Sequence, residues 1–210
     1  MSDFILGLDL GQVKDYTALG VLERDGSSKQ DRKYQLRRLE RLPLGTTYPA
    51  VVTHVKELME KEPLRGHVLL VVDATGVGLP VIDLLDQEGL RPIGITITGG
   101  TEATYAGRGY HVPKRDLVVT LQVLAQSGRL KVAENLPLAH IFVNELLNFK
   151  VEINKRGHDS YEAWREGVHD DLVLAVALAA WYGQRQVSWR PLETTKEEKK
   201  KEEDVFYPAN

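Results

Sequence analysis

Acidic residues at three widely separated places in the chain each mark the boundary of an apolar segment. Asp9 and Asp73 each end a short apolar run, and the pair Asp170-Asp171 precedes a long one. An unpaired carboxylate is costly to bury, so such positions need a compensating cation. Mg²⁺ and Mn²⁺ prefer carboxylate and water oxygens. This pattern predicts a divalent-metal site built from Asp9, Asp73, Asp170 and Asp171.

The elements that position these acids follow from the spacing of the apolar residues. The sequence predicts strands at Phe4–Leu10, Thr17–Glu23, Tyr34–Leu42, His67–Val72 and Ile93–Ile97. It predicts helices at Tyr48–Glu60, Leu79–Leu85, Pro113–Gln126, Leu138–Leu147 and Asp170–Arg185. The polar segment Lys150–Arg165 is expected to be a hairpin or a mobile loop.

This order of elements predicts an α/β fold. We expect a mixed central sheet whose first three strands form an antiparallel meander, with helices packed on the sheet. If the first and fourth strands are parallel neighbours, Asp9 and Asp73 meet at their carboxyl ends, where α/β sheets bind ligands. We expect one domain over residues 1–187. Residues 188–210 are rich in charge and are predicted to form a disordered tail.

Composition restricts the class of protein. The 210 residues are 42% hydrophobic with a net charge of −3, which is ordinary for a soluble domain. The absence of cysteine excludes disulfides and cysteine-based zinc sites. No apolar stretch reaches the roughly 20 residues that span a membrane. The N-terminus does not have the pattern of a signal peptide, so we expect a cytoplasmic protein.

Each acidic position also has a purely structural interpretation. Asp9 could be a turn residue, and Asp73 could cap the helix that follows it. Adjacent helical residues project about 100° apart, so Asp170 and Asp171 are not expected to share one role. One is expected to be a direct metal ligand, and the other a second ligand or the helix N-cap.

Basic residues in loops and at helix starts are candidates for neutralising phosphates. These DNA-binding candidates are Lys14, Arg108, Lys114, Arg115, Lys150, Lys155 and Arg156. A second basic run shares the third predicted strand and is expected to be a solvated sheet edge; its members are Arg32, Lys33, Arg37, Arg38 and Arg41.

Four segments, in this order, resemble the nuclease domain of phage large terminases: GLDLGQVKDYTALGVLE, VVDATGVGLPVIDLL, VPKRDLVVTL and HDDLVLAVALAAW. The resemblance runs from about Phe4 to Trp181 and implies an RNase H-like fold of the RuvC/integrase type. It places the catalytic acids of that family on Asp9, Asp73 and the Asp170-Asp171 pair.

The resemblance implies a nuclease that uses two Mg²⁺ or Mn²⁺ ions and cuts double-stranded DNA with little sequence preference during viral genome packaging. Its partners would be DNA and, in a full-length protein, an ATPase motor domain, the portal protein and the small terminase subunit, in the host cell cytoplasm. No membrane partner is implied. Because the sequence has no GxxxxGK[ST] phosphate loop, the motor is not expected in this chain.

Three other functions fit parts of the pattern. A Holliday-junction resolvase of the same fold would use the same acids on branched DNA. The segment GLDLG also resembles the first phosphate motif of sugar kinases and actin-like ATPases, but the second phosphate loop of that superfamily is missing. The third alternative is a non-catalytic module that binds DNA or the portal.

Overall fold

The computed structural model of the protein describes residues 3–11, 15–26, 28–76, 78–107, 109–155 and 170–185, with only the backbone at 150–155. The strands are β1 (Asp3–Asp9), β2 (Ala18–Asp25), β3 (Lys33–Arg41), β4 (Val68–Asp73), β5 (Ile93–Thr98), β6 (Thr104–Ala106), β7 (Gly109–Pro113) and β8 (Leu130–Val132). The helices are α1 (Tyr48–Met59), α2 (Gly78–Gln87), α3 (Lys114–Gln126), α4 (Ala139–Lys155) and α5 (Asp171–Arg185).

All the described strands belong to one mixed sheet, in the order β6-β7-β5-β4-β1-β2-β3-β8. β1, β2 and β3 form the predicted antiparallel meander. β1 is parallel to β4 and β4 to β5, which meets the condition set for Asp9 and Asp73 to lie together, and β5 is parallel to the unpredicted β7. β3 therefore also runs in the same direction as β1. The carboxyl ends of β1, β3, β4, β5 and β7 share one edge of the sheet, which we call the carboxyl edge.

Helices cover both faces of the sheet because its central strands carry apolar residues on both sides. On one face, residues such as Leu6 and Leu8 of β1 pack with α1 and α2. On the other face, Ile5 of β1 and Val71 of β4 pack with α3, α4 and α5. Side chains alternate between the two faces along a strand, so Asp9 and Asp73 point toward the face that carries α5.

Helix α5 lies at the centre of this second layer. Residues 171–183 are all buried, since α5 contacts β1 and β2 on one side and α3 and α4 on the other. Gly7 permits the close approach of β1 to α5, because a Cβ there would lie 1.9 Å from the carbonyl oxygen of Ala175. Gly20 of β2 plays the same part against Val176.

Two buried arginines bind the carboxyl end of α5. Arg24 and Arg32 donate to the carbonyl oxygen of Gly183 at 3.1 and 2.8 Å, and Arg32 also donates to that of Gln184 at 3.2 Å. These donors satisfy carbonyls that the helix itself leaves unpaired. They also place positive charge where the helix dipole is negative.

Several elements differ from the sequence predictions. The short strands β6, β7 and β8 were not predicted. α4 continues to Lys155, so the predicted hairpin or loop is wrong for residues 150–155, and its remainder lies outside the described residues. The expected solvated edge at Arg32–Arg41 is also wrong in part, because Arg32 is buried and β8 pairs with the first half of β3. The predicted tail at 188–210 lies outside the described residues.

None of the described helices is long and apolar enough to cross a membrane.

Candidate active site

The structure brings the predicted acids together at the carboxyl edge. In the parallel pairing of β1 with β4, Leu8 lies opposite Val72, so Asp9 and Asp73 follow side by side on neighbouring strands. Asp170 and Asp171 lie at the start of α5, which crosses the same face of the sheet. The charges of Asp73, Asp170 and Asp171 all act on Asp9.

Asp9 lies at the electrostatic centre of this group. It is 9% exposed, and burial raises the pKa of its carboxyl group well above the ordinary value. The negative charges of Asp73, Asp170 and Asp171, in decreasing order, raise this pKa further, while Lys114 lowers it. Ionised Asp9 is thus disfavoured unless a cation compensates its charge.

Asp73 is oriented by the turn that follows β4. Its Oδ1 accepts a hydrogen bond from the backbone N–H of Thr75 at 2.8 Å, and Thr75 Oγ1 accepts one from Ile97 N–H at 2.8 Å. Burial raises the pKa of Asp73, and hydrogen bonds from Thr75 and Asp9 oppose that shift. The chain can turn directly from β4 into α2 because Gly78 has no Cβ, which would lie very close to the carbonyl group of Asp73.

Asp171 is engaged on both oxygens by Arg41, the last residue of β3. Arg41 Nε donates to Oδ2 at 2.7 Å, and Nη2 donates to Oδ1 at 2.9 Å. Nη2 also donates to Glu145 of α4, whose other oxygen accepts from the backbone N–H of Val173 at 3.3 Å. The Arg41 guanidinium lies 5.2 Å from the ring centre of Tyr16. We call Arg41, Glu145 and Asp171 the arginine clamp.

The pKa values of Arg41 and Glu145 are both raised, for different reasons. Burial lowers the pKa of Arg41, but hydrogen bonding to Asp171 and the charges of Asp171 and Glu145 outweigh it, so the net pKa is raised and Arg41 stays protonated. Burial raises the pKa of Glu145 to about 7, the charge of Asp171 adds to this shift, and Arg41 opposes it.

Asp170 has a different environment from its neighbour. Its carbonyl oxygen accepts the hydrogen bond of Leu174 N–H at 2.9 Å, which makes it the N-cap residue of α5. Its side-chain Oδ2 accepts from Lys114 Nζ at 2.8 Å, and about a fifth of each side chain is exposed. Lys114 is the first residue of α3 and also lies over the ring of Phe149.

The acidic side chains of this site outnumber its basic side chains, so the site can accept further cations. Four aspartates and Glu145 face two fixed cations, Arg41 and Lys114. Their hard carboxylate oxygens suit Mg²⁺ or Mn²⁺, so the residues fit such ions in their chemistry. Within the described ranges, however, no three histidine or acidic side chains converge to hold an ion as they stand. Arg41 occupies both oxygens of Asp171 and Lys114 occupies one oxygen of Asp170, so an ion that used either group would require side-chain rearrangement.

The predicted DNA-binding residues fall in different places. Lys114 lies within the acidic site, and Arg115 beside it is exposed, donating to the carbonyl oxygen of Thr101. Lys150 and Lys155 lie on α4. Lys14, Arg108 and Arg156 lie outside the described residues. Contact of these residues with DNA stays a prediction.

Sequence reasoning missed Arg41 and Glu145. Arg41 was assigned to a solvated edge because basic residues dominate its strand. Glu145 carried a signal that went unused, since it lies on the stripe that Phe142 and Phe149 bury, at helical spacing. An acid in such a stripe needs a buried partner, and the partner is Arg41.

Comparison with known proteins supports the expected family. The chain is 27% identical over 176 residues to the terminase large subunits of Thermus phage G20c and of Thermus virus P23-45. The match covers 84% of this chain and 31% of each relative, so the chain spans about a third of the length of the curated relatives it matches. No protein-family model matches the sequence.

Among solved structures, the large terminase nuclease from phage G20c matches with a TM-score of 0.56 and 22% identity, over 88% of this chain and 83% of that one. The chain resembles phage large terminases in sequence and fold. The fold is RNase H-like, as predicted. The large terminase of a second thermophilic bacteriophage shares it at a TM-score of 0.56 and 12% identity, over 85% of this chain and 39% of that one.

Proposed function

We propose that this chain is a divalent-metal-dependent DNA endonuclease and the nuclease part of a viral DNA-packaging terminase. The observation that carries the proposal is that Asp9, Asp73, Asp170 and Asp171 lie near one another at the carboxyl edge of an RNase H-like sheet. When ionised, these four carboxylates exceed in charge the two neighbouring cations, Arg41 and Lys114. The sequence similarity to terminase large subunits supports the packaging role.

The proposed mechanism uses the acids as a scaffold for two ions of Mg²⁺ or Mn²⁺. Such ions, when bound, activate water as a nucleophile and stabilise the departing oxygen of a phosphodiester. Asp9 would be one ligand, at the end of β1 and within the influence of the other three aspartates. Asp73 would be the second ligand, held in orientation by Thr75 N–H. The Asp170-Asp171 pair would complete the set from α5.

Basic residues beside the acids would contact the phosphates of the DNA. Without metal ions, Lys114 balances the negative charge of Asp170. Once ions balance that charge, the Lys114 amine would be able to approach a phosphate of the DNA backbone. Exposed Arg115, one residue further on, would contact the phosphate backbone without reading sequence. Little sequence preference follows, since phosphate contacts position DNA and base contacts specify it.

The whole terminase to which this nuclease would belong has further proposed partners. An ATPase motor domain, the portal protein and the small terminase subunit would act with it on double-stranded DNA in the host cytoplasm. These partners rest on the family resemblance alone.

A plasmid-cutting assay tests the nuclease. Supercoiled and linear plasmids are incubated with the protein and Mg²⁺, Mn²⁺ or EDTA, beside Asp9→Asn. The matched control is Asp25→Asn, an exposed aspartate at the opposite end of the meander. We expect metal-dependent cutting by the parent and by Asp25→Asn, and none by Asp9→Asn despite an unchanged circular dichroism spectrum. Cutting by Asp9→Asn, or none by the parent with either metal, would contradict the proposal.

A further inference from the structure

The arginine clamp separates the roles of the two adjacent aspartates. We propose that Asp170 is the direct metal ligand from α5, and that Asp171 is a positioning residue held by Arg41 and Glu145. This inference rests on the proposed nuclease function and assigns the residues that this function leaves open.

The first argument is the occupancy of the carboxylate oxygens. Both oxygens of Asp171 accept from the guanidinium of Arg41 in a two-bond, fork-like arrangement, at 2.7 and 2.9 Å. Charge-assisted pairs of this geometry are among the strongest hydrogen bonds in proteins. A metal would have to break both bonds and leave Arg41 beside an incoming cation. At Asp170, an ion would displace one lysine amine from one oxygen, Oδ2.

The second argument is exposure. The Asp171 side chain is 8% exposed and that of Arg41 is 16% exposed. The side chains of Asp170 and Lys114 are 23% and 20% exposed. An ion that arrives with its water, and DNA that follows it, therefore reach Asp170 more readily. Asp170 also acts on Asp9 more strongly than Asp171 does.

The third argument is what the clamp holds. Arg41 comes from the sheet, Glu145 from α4 and Asp171 from α5, so the three residues join three elements at one point. Glu145 also accepts from Val173 N–H in the first turn of α5, where helices leave N–H groups unpaired. The clamp thereby fixes the start of α5, and with it the Asp170 backbone, relative to Asp9.

The test separates metal affinity from positioning. Mn²⁺ binding is measured by isothermal titration calorimetry, and the melting temperature is measured without metal, for Asp170→Asn, Asp171→Asn, Arg41→Lys and Arg41→Met. The control is Arg38→Met, which removes an exposed arginine of the same strand. The Arg41→Met and Asp171→Asn changes are also combined in one double variant.

We expect Asp170→Asn to weaken Mn²⁺ binding at least tenfold while its metal-free melting temperature stays at or above that of the parent. Asp171→Asn and Arg41→Met should lower the melting temperature and weaken Mn²⁺ binding less than threefold. The double variant should melt no lower than the worse single variant, because both changes break one clamp. Arg41→Lys should recover part of the loss, since it keeps the charge without the fork.

The opposite pattern would overturn the assignment. If Asp171→Asn lost Mn²⁺ affinity tenfold and Asp170→Asn bound like the parent, Asp171 would be the ligand. Additive losses in the double variant would show that Arg41 and Asp171 do not act as a unit. Absence of Mn²⁺ binding by the parent would overturn the proposed function and Asp170's role as ligand together. The metal-free melting data would then still decide whether the clamp positions α5.

Discussion

Replacement of Gly7 by alanine tests whether the close contact between β1 and α5 holds the acidic site together. The added Cβ would lie 1.9 Å from the carbonyl oxygen of Ala175 and 3.2 Å from Cβ of Ala179. Ordinary van der Waals contact begins near 3.4 Å, so the oxygen must move by the difference, 3.4 less 1.9, or about 1.5 Å. Helix backbone cannot yield locally by that distance, and α5 must shift as a body.

This shift of α5 should lower both the stability of the protein and its rate of DNA cleavage. Overpacking of a well-packed core costs about 1–3 kcal/mol, which for a protein of this size lowers the melting temperature by about 2–12 °C. The same shift displaces Asp170 and Asp171 relative to Asp9. A misplacement near 1 Å can reduce a catalysed rate by about 100-fold.

The assay compares Gly7→Ala with Gly100→Ala, whose new Cβ would meet only Thr98 Oγ1 at 3.4 Å. Melting is followed by circular dichroism, and plasmid cutting is followed at saturating Mn²⁺. We expect the Gly100 variant to behave like the parent in both measurements. A Gly7→Ala protein that melts within about 1 °C of the parent and cuts at the parental rate would refute the idea that this contact sets the site.

Three further predictions concern stability. The pKa values of Asp9 and Asp73 are raised in the folded protein, so their contribution to stability is present at low pH and lost as pH rises through those values. Asp9→Asn should therefore raise the metal-free melting temperature at pH 8 more than at pH 5, and equal shifts would contradict this sign. Mn²⁺ should raise the parent's melting temperature more at pH 8 than at pH 5, because the ionised carboxylates bind it; the reverse order would count against a metal site there. Arg32→Met removes a buried donor to the carbonyls at the end of α5. It should lower the free energy of unfolding by about 2–3 kcal/mol and the melting temperature by about 4–12 °C. Arg37→Met, at an exposed pair, should change the melting temperature little, and equal melting of the two variants would show that the buried bonds contribute nothing.

The sequence predicted the sheet well where the apolar pattern was strong. β1 and β4 are nearly continuous apolar runs, and their parallel pairing placed Asp9 beside Asp73 as expected. β6 and β8 are three-residue strands whose pairing depends on neighbours far away in the chain. Three residues carry too little periodicity to be identified from sequence.

The acids of the site could be predicted, but not their partners. Asp9 and Asp73 stand out because a charge ends an apolar strand. Arg41 and Glu145 are brought together only by packing, across 104 residues of sequence. The expectation that Asp170 and Asp171 differ in role followed from helical geometry, and the structure gives them different partners. Which of the two holds metal stays a prediction.

Both ends of α5 are hydrogen-bonded to arginines of the sequence segment that forms the meander. Arg41 binds its N-terminal end, and Arg24 and Arg32 bind its C-terminal end. One residue inserted within the helix would shift one end relative to the other by about 1.5 Å and rotate it by about 100°. The contacts of Arg41 at the start and those of Arg24 and Arg32 at the end could then not form together. The contacts of Arg41 and of Arg24 and Arg32 therefore fix where α5 begins and ends. Related sequences should therefore keep the number of residues between Asp170 and Gly183 unchanged.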